Sequence, residues 1–197
     1  MSAYRIIQPP FTLRFREMSS ADLKAYFRWF GSMIPERIEE LGKTINETPA
    51  TGAWQTDRLP SSLPPLGHWF ATHVEIRPRT DQELQEIRAN TTLPFDIPNE
   101  ELTNRTFSLA TDAGMYFGEV LIKQCSWLRW EQMMVDRNHA DYGQPVIVGL
   151  GPVALNPVRI LITLAYAVAA GRQDGSRLSE LYQYWLSRAV EHQEGCP

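Results

Sequence analysis

Residues 112–131 read DAGMYFGEVLIKQCSWLRWE, an apolar segment that runs into a tryptophan-rich one. At helical spacing the apolar residues surround most of the cylinder, which predicts a helix buried at the centre of the fold. Gly114 and Gly118 lie four residues apart within it. Glycine in a helix interior costs about 1 kcal/mol relative to alanine, so the pair indicates a close approach by another backbone or by a ligand. We expect a central helix over about 99–124, followed by a strand.

Acidic side chains interrupt this apolar helix. Asp112, Tyr116 and Glu119 follow i, i+4, i+7 spacing, so all three lie on roughly one side. A buried carboxylate without a partner is costly, and Glu119 therefore needs a hydrogen-bond donor. Arg129, or the indole N–H of Trp127 or Trp130, could supply one. Glu119 then either joins the helix to the following strand or lies at the edge of a cleft that faces a ligand or partner.

Composition limits the class of protein. The chain has 197 residues, of which 43% are hydrophobic, and its net charge is −4. This length suits one domain with a substantial core. A mildly acidic balance disfavours nucleic-acid binding, which needs a basic face. The N-terminus lacks a signal-peptide pattern, and the longest apolar run, at 160–171, is shorter than the ~20 residues of a membrane span. We expect a cytoplasmic protein that binds neither membranes nor nucleic acid.

The first half of the chain contains one long loop. Alternation predicts a strand over 11–18, and Ser19 should then cap a helix that Pro35 bends or breaks. Residues 47–65 are rich in proline and serine and read as a loop of unusual length. Thr80 begins a capping box, with a glutamate three residues later, that predicts a helix to about residue 90.

The second half predicts a hairpin and two further helices. The tryptophan-rich strand and the segment PVIVGLG should form an antiparallel hairpin, and Asn156 should cap a helix over 157–170. Ser176 should begin the last helix. The fold class is therefore α+β, with several helices packed on a small antiparallel sheet around the central helix. Residues 1–197 then form a single domain, in which residues 1–46 could act as a helical cap.

Two segments carry a resemblance to known proteins. DAGMYFGEVL (112–121), followed by a tryptophan strand, and the opening PPFTLRFREMSSADLKAYFRWFGSMIPERIEEL (9–41) resemble domains of uncharacterised bacterial proteins. Small acidic proteins of this kind often neighbour secreted toxins, so the resemblance implies an immunity-type role. It implies no catalytic residues. An acidic surface would steer such a protein towards a basic toxin domain.

The sequence thus favours a non-enzymatic, cytoplasmic protein-binding protein, namely a bacterial immunity protein that neutralises a toxin. Aromatic and acidic side chains of the central helix, the hairpin and the 47–65 loop are the candidate partner-binding residues. They are Trp54, Asp112, Tyr116, Glu119, Trp130, Asp141 and Tyr142. Two alternatives stay open: a small enzyme or ligand-binding domain with a cleft beside Glu119, and a secretion-system adaptor or structural protein.

No cofactor and no metal are expected. His68 and His73 are five residues apart, whereas two zinc ligands on one helix need a spacing of four. The segment GLGPVA (149–154) matches a dinucleotide-binding glycine pattern, but Pro152 lies where the helix of such a site would begin. Neither motif predicts a ligand.

Overall fold

Six α-helices and two two-stranded antiparallel ribbons make up residues 4–48, 53–90 and 97–194, the part of the chain that the computed structural model describes. This architecture confirms the predicted α+β class. The helices are α1 (Ser20–Asn46), α2 (Leu63–Thr72), α3 (Asp81–Asn90), α4 (Asn104–Gln124), α5 (Pro157–Ala169) and α6 (Arg177–Glu194), and the strands are β1 (Ile76–Pro78), β2 (Glu100–Leu102), β3 (Arg129–Gln132) and β4 (Pro145–Val148).

Helix α4 is the central element, as its apolar sequence predicts. It packs against α1, α2, α5 and α6, and its middle turns are buried on nearly all sides. It begins at Asn104 and not near residue 99, because Glu100–Leu102 pairs with β1 as a strand. Thr103 then ends the strand and caps the helix, its Oγ1 accepting a hydrogen bond from the Thr106 N–H.

The two glycines of α4 allow the close approaches that their spacing indicates. A Cβ atom at Gly114 would lie 2.7 Å from the Val158 Cα atom of α5. A Cβ atom at Gly118 would collide with the indole ring of Trp130, on β3. Glycine is therefore needed at both positions for packing, one against a helix backbone and the other against the hairpin.

Strands β3 and β4 form the predicted antiparallel hairpin, with Arg129 opposite Val148 and Gln132 opposite Pro145. The predicted helix caps are also present. The Ser19 Oγ atom accepts from the Asp22 N–H, and Asn156 caps α5 by accepting from the Arg159 N–H.

The predicted strand over 11–18 is wrong. Its alternation of apolar and polar residues instead places Phe11 and Phe15 against Tyr26 of α1, at ring-centroid distances of 5.5 and 5.0 Å. Leu13 has φ +56°, in the left-handed region, which a continuous strand does not allow. The Glu17 N–H donates to the Arg14 carbonyl, so the segment ends in a turn. We call residues 4–18 the N-terminal segment.

Pro35 does not divide α1, which runs without interruption from Ser20 to Asn46. Its ring is exposed, and so is Gly31, whose carbonyl loses the N–H partner that residue 35 would otherwise supply. Water can therefore reach that carbonyl. The apolar stripe that continues through Ile38 and Leu41 holds both halves of the helix against the core.

The loop predicted over 47–65, of which residues 49–52 lie outside the described part of the chain, ends earlier than expected, at Leu59. A short 3-10 helix over Pro60–Ser62 leads directly into α2, which contains Trp69. Prolines at the start of a helix do not oppose it, since the first N–H groups have no intrahelical partner. No helix within the described ranges combines the length and apolar character that crossing a membrane requires.

Candidate functional site

Glu119 joins the central helix to the hairpin, which confirms the first of its two predicted roles. The indole N–H of Trp130 donates to its Oε1 atom at 3.0 Å. The Arg58 guanidinium lies 3.2 Å from its Oε2 atom, and 16% of the glutamate side chain is exposed. The donor is thus one of the tryptophans considered, whereas Arg129 pairs with Glu131 on its own strand.

Asp112 lies in a buried network that the sequence analysis did not foresee. Arg37 of α1 holds it through two hydrogen bonds, from Nε at 2.8 Å and from Nη2 at 2.7 Å. Its side chain is 0% exposed and that of Arg37 is 2% exposed. The Tyr4 hydroxyl donates to the second carboxylate oxygen at 2.5 Å and also bonds Ser108.

Burial governs the ionisation of this network. It raises the pKa of Asp112 to about 6, although the hydrogen bonds from Arg37 and Tyr4 act in the opposite direction. Burial also raises the pKa of Tyr4, and the neighbouring carboxylate adds to the effect. The carboxylate, guanidinium and phenol therefore satisfy one another. Arg37 could have been recognised from the sequence, because it lies within the apolar stripe that runs along α1.

Trp54 and Tyr116 fix the segment between α1 and α2 onto α4. The Tyr116 hydroxyl accepts from the Arg58 N–H at 3.0 Å and bonds the Ser62 hydroxyl at 2.7 Å. The Trp54 indole donates to the Ser62 carbonyl, and its ring lies 5.0 Å from that of Tyr116. Both side chains are buried. They hold the interior together and present no surface to a partner.

Asp141 is likewise internal. Its side chain is 3% exposed. The Asn156 amide and the Arg159 guanidinium each donate to it at 2.7 Å. The aspartate thereby anchors the end of the hairpin loop to the start of α5. The adjacent Tyr142 is half-buried, as is Trp130.

The seven predicted partner-binding residues therefore do not form one exposed site. Four of them are buried, which leaves a partner no atoms to contact in this conformation. The buried residues are Trp54, Asp112, Tyr116 and Asp141. Glu119, Trp130 and Tyr142 keep limited exposure.

The structure contains a different candidate site, an apolar cleft of about 620 Å³ between the N-terminal segment, α1, α4, β4 and α5. Its walls are mainly aromatic and aliphatic, and include Trp29, Phe107 and Ile162. A cleft of this size and apolar character is typical of small-molecule sites. It is not the cleft beside Glu119 that the enzyme or ligand-binding alternative requires, because Glu119 does not line it.

The polar groups of the apolar cleft are all neutral. Hydroxyls and side-chain amides are present, but no lining side chain is charged. The neutral polar residues are Gln8, Asn104, Ser108, Thr111, Gln144 and Asn156, and the aromatic residues Tyr26 and Trp29 carry a hydroxyl and an indole N–H. Ser108 bonds Arg37 and Asn156 bonds Asp141, so each connects the cleft to a buried charged side chain.

Two further side chains with reactive groups, Cys125 and His73, have limited exposure. Cys125 is buried, and burial raises the pKa of its thiol. His73 is half-buried and stacks on Trp69, with ring centroids 4.3 Å apart. Within the described residues, no three His, Cys, Asp or Glu side chains are grouped so that they could hold a metal ion.

Comparison of the chain with protein families, curated proteins and solved structures gives no match.

Proposed function

We propose that this chain is a non-enzymatic binding protein whose binding site is the apolar cleft. The observation that carries the proposal is the cleft itself: about 620 Å³ bounded by aromatic and aliphatic side chains. Apolar surface left open to water favours a guest that covers it, at roughly 25 cal/mol per Å² of area removed from water.

The state of the acidic side chains supports a binding role over catalysis. A general acid or base must reach the proton it transfers. The carboxylate oxygens of three acidic side chains are already bound by a neighbouring arginine and by further donors, at Asp112, Glu119 and Asp141. Cys125 is buried with a raised thiol pKa, which opposes nucleophilic chemistry. These groups act as structural ties.

The walls of the apolar cleft are preorganised. The Ile7 N–H donates to Ser108 of α4 at 2.8 Å, which fixes one end of the N-terminal segment. At the other end, the Arg137 guanidinium of the hairpin loop donates to the Arg16 carbonyl. A site that is ordered before binding loses less entropy when its ligand arrives.

The test is titration with N-phenyl-1-naphthylamine, a neutral apolar dye that brightens in apolar surroundings. Ile162 lines the cleft from α5, so Ile162→Trp should fill it. Thr163, the next residue, is exposed and lies outside the cleft, and Thr163→Trp is the matched control. We expect saturable binding to the wild type and to Thr163→Trp, and loss of binding in Ile162→Trp with its thermal unfolding temperature retained. Absence of saturable binding to the wild type would contradict the proposal.

A second candidate is the cytoplasmic immunity-type role that the resemblance implies, with a basic toxin domain as partner. The hairpin loop favours it, because Val135 at its tip is 93% exposed beside the exposed Met134. Arg137 ties this loop to the N-terminal segment, so the tip is presented in a fixed position. An apolar side chain on an ordered tip can enter a pocket of a partner.

This second role is tested by co-expression with toxins encoded beside the gene. Val135→Asp should abolish protection of the cells, whereas Val153→Asp, which changes another exposed valine, should leave it intact. Full protection by Val135→Asp would exclude the hairpin tip as the contact.

A further inference from the structure

We infer that the apolar cleft takes an uncharged amphiphile, a molecule with an apolar body and one neutral hydrogen-bonding group such as a hydroxyl or a primary amide. This inference rests on the proposed binding function and adds the chemical class of the guest. It excludes carboxylates, phosphates and ammonium ions as the buried head group.

The charge distribution supplies the first argument. None of the side chains that line the cleft is ionisable near neutral pH. The ions bonded to the lining residues Ser108 and Asn156 are already paired: Arg37 pairs with Asp112, and Asp141 pairs with Arg159. A charged head group entering the cleft would lose its water and find no counter-ion, which is costly.

The hydrogen-bond capacity of the lining supplies the second argument. Two of its polar side chains are saturated. Asn156 donates to Asp141 and to Gln144 and accepts from the Arg159 N–H. Ser108 accepts from Ile7 and shares a hydrogen bond with the Tyr4 hydroxyl, and the Arg37 guanidinium donates to it as well. Neither can offer a ligand much more.

Two other polar side chains retain capacity. The Thr111 hydroxyl donates to the Phe107 carbonyl at 2.9 Å, so its lone pairs stay available as acceptors. Gln144 donates one amide hydrogen to the Ala140 carbonyl at 3.1 Å and keeps the other. These two side chains thus offer a neutral acceptor and a neutral donor to a guest. A hydroxyl or an amide can use either, whereas a purely apolar guest would leave both unpaired.

The experiment is displacement of bound N-phenyl-1-naphthylamine by three molecules that differ only in head group: decan-1-ol, decanoate and decylammonium. All are used at pH 7 and below their aggregation concentrations. We expect decan-1-ol to displace the dye at a concentration at least about tenfold lower than either ion, since each tenfold corresponds to 1.4 kcal/mol and burying an unpaired charge costs more. Ile162→Trp should show no displacement by any of the three.

A second variant tests the polar contact. Thr111→Val keeps the shape of the side chain and removes its oxygen, and should weaken decan-1-ol about two- to tenfold, the value of one hydrogen bond. Its affinity for the dye serves as the folding control. Equal displacement by the alcohol and by either ion would overturn the neutral class while leaving the cleft as a binding site. Failure of the dye itself to bind would overturn both proposals.

Discussion

Gly114→Ala is the sharpest test of how α4 and α5 pack. The added Cβ would lie 2.7 Å from the Val158 Cα atom, 2.9 Å from its nitrogen and 3.0 Å from the Pro157 carbonyl oxygen. Ordinary contact begins at 3.4 Å, so α5 would have to move away by about 0.7 Å (3.4 − 2.7). The obstructing atoms belong to a helix backbone, which cannot rotate aside as a side chain can.

The magnitude follows from two opposing effects. Overpacking a core costs about 1–3 kcal/mol, and a clash with backbone belongs at the upper end. Alanine in place of a helical glycine gains about 1 kcal/mol. Gly114→Ala should therefore lower the free energy of unfolding by about 2 kcal/mol. In a protein of this size that corresponds to a fall of about 4–8 °C in Tm.

Gly31→Ala on α1 is the matched control. No atom lies within 4 Å of a Cβ at Gly31, so the variant should gain the helix-propensity benefit alone, about 1 kcal/mol. Urea titration of the three proteins measures both values, and the two variants should differ by about 3 kcal/mol. If Gly114→Ala is as stable as Gly31→Ala, α4 and α5 do not meet through that glycine.

Three further predictions concern the acidic side chains. Asp112→Asn leaves the buried Arg37 without a counter-charge and should lower the free energy of unfolding by about 3–5 kcal/mol in a urea titration. The double variant Arg37→Met, Asp112→Leu should recover most of this loss. Equal losses in the two proteins would show that the charge pair is not the cause. Glu119→Leu removes the acceptor of the Trp130 indole and should lower the free energy of unfolding by about 1–3 kcal/mol. Glu119→Gln keeps an acceptor and should lower it by no more than about 1 kcal/mol. Tryptophan fluorescence during unfolding measures both values, and reversal of this order would refute the role of the hydrogen bond. Hydrogen bonds from the Arg77 guanidinium lower the pKa of Glu83 from its ordinary 4.5 to about 2. The contribution of Glu83 to stability is therefore complete above pH 4.5 and is lost as the pH falls towards 2. Glu83→Gln should reduce the loss of unfolding free energy between pH 4.5 and pH 2. An unchanged dependence of unfolding free energy on pH would contradict this.

Local patterns in the sequence predicted the elements whose cause is local. The apolar cylinder of α4, the glycine spacing, the caps at Ser19 and Asn156 and the link from Glu119 to a hairpin tryptophan all depend on residues close together in the chain. The caps and the glycine spacing can be recognised within one helix, and Glu119 lies only 11 residues from its tryptophan.

The rest depends on contacts between distant segments. Arg37 and Asp112 are 75 residues apart, and neither flanking sequence identifies the other as its partner. The apolar cleft draws its walls from five separate parts of the chain. In the N-terminal segment a local pattern gave the wrong element. Its alternating apolar residues pack onto α1 and do not pair as a strand.

The separation of Arg37 from Asp112 has a consequence during synthesis. At translation rates of about 5–20 residues per second, the arginine is added to the chain roughly 4–15 s before its carboxylate partner. Until then the apolar stripe of α1 carries an unneutralised guanidinium, which keeps that face hydrated and opposes premature collapse of the nascent chain. Docking of the first helix is thus delayed until the central helix has emerged, and ribosome-bound chains that stop short of residue 112 should remain sensitive to protease.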